Sequence, residues 1–153
     1  MYKHILVALD GSQTSDLALK EAMTLAKENK SVVKAINVID AYHVSPATDF
    51  VSIKEVVDSL SNEGLKILAN AKKRMDAEEI LSETDVIQTN QASQSIAQVI
   101  SNAAENWPAD LIIVGTHGRK GFSHLLLGSV AESICRIATK PILLIRSHHP
   151  TSP

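Results

Sequence analysis

From Gly115 to Glu132 the sequence runs GTHGRKGFSHLLLGSVAE, and the residue types collected there suit an anion. Gly115, Gly118, Gly121 and Gly128 alternate with His117, Arg119, Lys120 and His124, and Ser129 follows the last glycine. Backbone N–H groups in a glycine-rich turn, and the unpaired N–H groups of a helix that follows it, together make a site for phosphate oxygens. Glycine serves this chemistry because a Cβ would block close approach and exclude positive φ. The spacing G-x2-G-x9-G-S is neither the P-loop, since no G-x4-G-K-[ST] occurs, nor the dinucleotide fingerprint. Ser129 is placed either to cap the helix or to give its hydroxyl to a phosphate, and the two uses are compatible. A second candidate group stands in ALDGS near the start of the chain. Asp10 is there either a turn-former beside Gly11 or a ligand-binding carboxylate.

These residues need elements to carry them. HILVAL (4–9) is a compact apolar run that ends in Asp-Gly-Ser, which predicts a buried strand and a turn. Ala18, Leu19, Ala22, Met23, Leu25 and Ala26 recur at helical spacing behind Ser12, a suitable N-cap. SVVKAINVID reads as a second strand, followed by a polar, proline-containing segment. From Ile53 to Met75 an apolar stripe marks a long amphipathic helix. TDVIQT reads as a short, weak strand, and Ile96, Val99, Ile100, Ala103 and Trp107 as a helix stopped by Pro108. DLIIVG (110–115) is a buried strand, a fourth helix begins near Gly128 or Ser129, and KPILLIR supplies the last strand. Strands alternating with helices predict an α/β fold with a parallel sheet, covered by helices on both faces. Ligands in such sheets bind at the carboxyl ends of strands where the winding reverses. That directs attention to ALDGS and VGTHG.

Length and composition bound the rest. The 153 residues fit a single domain over 1–147, with a polar tail at 148–153 expected to be disordered. Hydrophobic and charged fractions of 44% and 21% are ordinary for a globular chain. A net charge of -2 and 3% aromatic residues argue against nucleic acid as a partner. No run reaches the roughly 20 apolar residues of a membrane span, so no membrane partner is expected. The N-terminal apolar run is too short for a secretory leader, and the single Cys135 forms no internal disulfide, so a cytoplasmic location is expected.

Four separated segments, HILVALDGS, NVID, DLIIVGTHGRKGFSHLLLGSVAESI and KPILLIR, together resemble the universal stress protein family, in its ATP-binding branch. The resemblance spans nearly the whole chain. It implies a five-stranded parallel sheet of order 3-2-1-4-5, adenine nucleotide alpha hydrolase-like, with ATP (or AMP or ADP) bound as its Mg complex. Adenine would lie near the first two strand ends, here Ala8, Leu9, Asp10 and Val38, with Asp10 holding the nucleoside. Ribose and phosphates would meet Val114, Gly115, Gly118, Gly128, Ser129 and Val130, and Arg119 is a phosphate contact by its charge. The family also pairs through its last strand, which points to a homodimer across Ile142 to Arg146. An apolar strand left bare at a sheet edge is an aggregation liability, so pairing is physically reasonable.

Other readings are weaker. His117 and His124 lack a third ligand in a recognisable metal pattern. Cys135 is expected to be a small buried core residue. Asp10, Asp40 and Ser129 could help hold Mg²⁺, but no dedicated base stands out, so at most a slow Mg-dependent ATPase is expected. A receiver domain would need an acidic pair after the first strand and a Lys-Pro after the last. Here Lys140-Pro141 precedes the last strand. The sequence therefore reads as a nucleotide-dependent stress-response regulator. The alternative is a nucleotide-free dimeric interaction module.

Overall fold

A computed structural model describes residues 1–44, 51–117 and 127–147. The tail at 148–153, and with it the expectation of disorder there, lies outside the described residues. The chain alternates β1 (His4–Ala8), α1 (Gln13–Asn29), β2 (Val32–Ile39), α2 (Ile53–Ala77), β3 (Ser82–Gln88), α3 (Ile96–Asn106), β4 (Leu111–Gly115), α4 (Ser129–Ile137) and β5 (Ile142–Ile145). The five strands form one sheet of order β3-β2-β1-β4-β5, every pair parallel.

The starts of α1, α2 and α3 each have a side-chain cap. Ser12 caps α1 by accepting from the Ser15 N–H, and α1 ends at Lys30 in the left-handed region. Ser52 with Glu55, and Ser95 with Gln98, form capping boxes at the starts of α2 and α3. The strands sort their side chains by parity. Ile5 and Val7 join Leu19, Ala22, Leu68 and Met75 in the core under α1 and α2. Leu6 joins Ile36, Ile100, Ile112 and Ile134 in the core under α3 and α4. Burial on both faces is what made the central runs continuously apolar.

Three elements depart from the sequence reading. β3 is longer than expected, because as an edge strand, paired among the described residues with β2 alone, it keeps exposed Glu83, Thr84 and Asp85 without losing its ladder. Along α2 full burial begins only at Gly64, and Ile53 is 55% exposed. Cys135 is exposed and not in the core. The buried positions of α4 are Ala131 and Ile134, with Ala138 half-buried beyond them, so the stripe turns toward Ile134 and leaves Cys135 on its flank.

The winding reverses between β1 and β4. β2 and β3 lie to one side of β1, and β4 and β5 to the other, so the carboxyl ends of β1 and β4 send their chains apart. A crevice opens there.

Candidate functional site

The crevice is a cleft of about 300 Å³, at the small end of the range of small-molecule sites. Nine of the eleven residues expected from the sequence line it: Ala8, Leu9, Asp10, Val38, Val114, Gly115, Gly128, Ser129 and Val130. The other two, Gly118 and Arg119, lie outside the described residues. One wall is apolar, made by Ala8, Val38 and Val114 from strand ends and by Ile96 and Ile100 from α3. The polar lining comes from Asp10, Ser12, Ser15, Thr116, His117 and Ser129, beside the backbone of Gly115 and Gly128.

At the β1 end, Asp10 Oδ1 accepts from the Ser12 N–H at 2.8 Å, and Gly11 takes φ 82. This is an Asx-type turn, and only a glycine follows it without strain. Asp10 therefore forms the turn and also lines the cleft, so the two readings of that residue are compatible. The turn starts α1, whose buried Thr14 donates its hydroxyl to the His117 carbonyl 103 residues away.

At the β4 end the glycines have separate causes. A Cβ on Gly115 would lie 2.7 Å from Thr14 Oγ1 and 2.9 Å from Thr14 Cβ, so Gly115 lets α1 close over β4. A Cβ on Gly128 would come within 2.9 Å of the Thr116 carbonyl oxygen. That approach is needed because the Gly128 N–H donates to the same oxygen at 2.7 Å. Thr116 in turn donates its N–H to the Ile145 carbonyl at 2.7 Å. The chain thus leaves at Thr116 and returns at Gly128 through one hydrogen bond. The Thr116 hydroxyl also meets His117 Nδ1 at 2.9 Å.

Gly128 is the N-cap of α4 and supplies no side-chain cap, so Ser129 is the first helical residue and its hydroxyl is not spent on capping. The first intrahelical bond runs from the Glu132 N–H to the Gly128 carbonyl. The N–H groups of Ser129, Val130 and Ala131 consequently have no partner among the described residues, and all three residues line the cleft. The positive end of the helix dipole lies there too. Asp10 is the only acidic side chain among the described lining residues, and no lysine or arginine is among them.

A metal reading gains nothing from these groups. No cluster of three or more His, Cys, Asp or Glu able to hold a metal occurs among the described residues. Asp40 does not line the cleft. It turns to its own loop, accepting from the Tyr42 and His43 N–H groups and pairing with His43 Nδ1 at 2.8 Å. His124 lies outside the described residues.

The sequence reading missed Ser12, Ser15, Ile96, Ile100, Thr116, His117 and Ala131. Thr116 and His117 fill the gap between two expected glycines and could have been included by continuity. Ile96 and Ile100 carried only the helical period of a core face, which does not distinguish a core from a cleft wall.

Known proteins resemble this chain in sequence and fold. Residues 1–146 match the Universal stress protein family. The universal stress protein YxiE of Bacillus subtilis is 35% identical over 153 residues, covering 95% of this chain and 100% of its own. The universal stress protein MJ0577 of Methanocaldococcus jannaschii is 28% identical over 162 residues, covering 95% of this chain and 96% of its own. Its solved structure superposes with a TM-score of 0.84 at 27% identity over 98% and 99% of the two chains. A universal stress protein of Archaeoglobus fulgidus, solved in complex with dAMP, shares the fold with a TM-score of 0.65 at 19% identity over 94% and 98%. The fold, the cleft at its winding reversal and these matches lead to one conclusion: the chain belongs to the universal stress protein family.

Proposed function

We propose that the cleft binds an adenine nucleotide, ATP or AMP, and that its occupancy regulates the protein in a cytoplasmic stress response. The observation that carries this reading is the row of N–H groups at Ser129, Val130 and Ala131 that have no partner among the described residues, at a cleft that these residues share with apolar side chains. Such a site suits a ligand with an apolar, flat end and an anionic end. Ala8, Val38, Ile96 and Ile100 offer a surface for the base, and Asp10 is placed to accept hydrogen bonds from the nucleoside. Gly115, Gly118, Gly128, Ser129 and Val130 receive ribose and phosphates, with Arg119 adding charge. The intact G-x2-G-x9-G-S spacing and the dAMP complex of the Archaeoglobus fulgidus protein support the choice of nucleotide. Magnesium enters with ATP as the nucleotide complex, and hydrolysis is slow for want of a dedicated base.

Titration calorimetry of nucleotide-stripped protein with ATP, ADP and AMP, with and without Mg²⁺, tests the reading. Binding in the micromolar range is expected, with about 2.7 kcal/mol of added stability at a hundredfold excess of ligand over Kd. No heat and no thermal shift with any of the three would leave the loop as a connection only. The second reading, a nucleotide-free dimeric module, would then stand, and one observation favours a dimer in either case. β5 is a half-buried Ile-Leu-Leu-Ile edge with no strand beyond it among the described residues. Pairing across Ile142 to Arg146 would cover it. A monomer by light scattering at micromolar concentration would remove the dimer.

A further inference from the structure

Between β1 and β2 the ladder stops one bond short of where its register would carry it. The Leu9 N–H donates to the Ile36 carbonyl at 2.8 Å, continuing the Ala8–Ile36 pairing. In a parallel ladder the next bond runs from the Val38 N–H to the Leu9 carbonyl. It is not formed. The Leu9 carbonyl accepts instead from the side chain of Asn37, whose Nδ2 lies 2.8 Å away.

The parity of β2 says where this leaves Val38. The Val33 N–H reaches the Leu81 carbonyl and the Ile39 carbonyl accepts from Thr89, so odd residues of β2 address β3. Even residues address β1, as Val32 and Ile36 do through Lys3 and Leu9. Val38 therefore turns its N–H and C=O past the end of β1, toward the cleft it lines. Asn37 is 7% exposed, a polar residue in a strand interior that otherwise favours β-branched and aromatic side chains. α2 makes room for it, since a Cβ on Gly64 would run into Asn37 Oδ1.

We propose that Asn37 is a positioning residue for recognition of the base. By occupying the Leu9 carbonyl it keeps the Val38 N–H and C=O open, as an adjacent donor and acceptor for a planar heterocycle that carries the complementary pair. Adenine, with a ring nitrogen beside an amino group, is such a heterocycle. The inference rests on the reading of the cleft as an adenine nucleotide site, and its test is chosen so that the two can fail separately.

The test is residue-resolved amide hydrogen exchange on the full chain, together with titration by AMP and by ribose 5-phosphate, for wild type and Asn37→Leu. Without ligand, the wild-type Val38 amide should exchange about a hundredfold faster than the Leu9 amide, and AMP should slow it. In Asn37→Leu the ladder bond can close. Val38 should then be protected without ligand, and AMP affinity should fall about tenfold, the worth of one hydrogen bond. Affinity for ribose 5-phosphate, which has no base, should not change. A purely structural role would lower both affinities together and would overturn the proposal, as would a Val38 amide as protected as Leu9 in the wild type. Gly64→Ala, which alters no cleft residue, should move both readouts the same way, and an unmoved Val38 there counts against the proposal. Failure of wild type to bind AMP overturns the nucleotide reading and base recognition with it, and the exchange contrast then decides the Asn37 bond alone.

Discussion

The two ends of β1 and β4 share a sheet and a core, yet they use their polar groups in opposite ways. At the amino end Asp110 Oδ2 accepts from the Lys3 and His4 N–H groups at 2.7 and 2.9 Å, and the Asp110 N–H donates to the His4 carbonyl. Lys3 Nζ bonds the Asn29 carbonyl, closing α1 onto the same corner. The His4 ring meets Trp107 edge-on at 5.3 Å, and the indole N–H reaches Glu83 at 3.3 Å. That end bonds to itself. At the carboxyl end, three N–H groups of α4 and the backbone of Val38 have no partner among the described residues around a cleft. The fold alone does not dictate the difference, because the same strands build both ends. Function is read from the end that leaves polar groups available.

The largest test of this contrast is at Gly128. Gly128→Val puts a branched Cβ against the Thr116 carbonyl, and nucleotide affinity should fall by about a hundredfold or more in calorimetry, from loss of several contacts at once. Unchanged affinity would remove the α4 terminus from the site. Gly115→Ala acts one layer deeper, since its Cβ presses on Thr14. Denaturant unfolding should show a loss of about 1–3 kcal/mol by overpacking, with a smaller loss of affinity.

Asp110→Ala should do the reverse. Its two charge-assisted bonds sit on a side chain 42% exposed to solvent, so a loss of about 1 kcal/mol is expected, below the usual range for buried cases. Nucleotide affinity should stay within about twofold, which separates a structural end from a binding end. The same residue predicts a pH dependence. Hydrogen bonds from the Lys3 and then the His4 N–H hold the Asp110 carboxyl below its ordinary value of 3.8. A depressed carboxylate contributes stability that is fully present above the unfolded value and lost as pH falls through the folded one. Wild type should therefore lose an increment of stability below about pH 4 that Asp110→Asn does not lose, as read by denaturant midpoints across pH. The smallest effect belongs to Cys135. Being exposed, it should react with a thiol reagent in the native protein without altering affinity. A thiol that reacts only on unfolding would contradict its placement.

Much of this contrast was legible in the residues. The apolar runs of β1, β2 and β4 could be read because both faces are buried, and the order of the sheet came with the family resemblance. β3 was harder to see. Its Ser82, Glu83, Thr84 and Asp85 are tolerated only because the strand sits at the edge, a fact of tertiary position. In the cleft, the glycines and Asp10 announced themselves through backbone chemistry. Ile96 and Ile100 did not, since an apolar helical face looks the same over a core as over a cleft. Asn37 stands inside NVID, but its bond to Leu9 depends on where β1 ends. Cys135 was misplaced because its spacing from Ala131 fits the apolar stripe, whereas the sheet lies on the Ile134 side.

The most direct measurement is an AMP titration followed by amide chemical shifts. Shifts are expected at Leu9 to Ser12, Val38, Gly115 and Gly128 to Ala131, and none at Lys3, His4 or Asp110. No shifts at all, or shifts as large around Asp110 as around Ser129, would contradict the reading of the cleft as the nucleotide site.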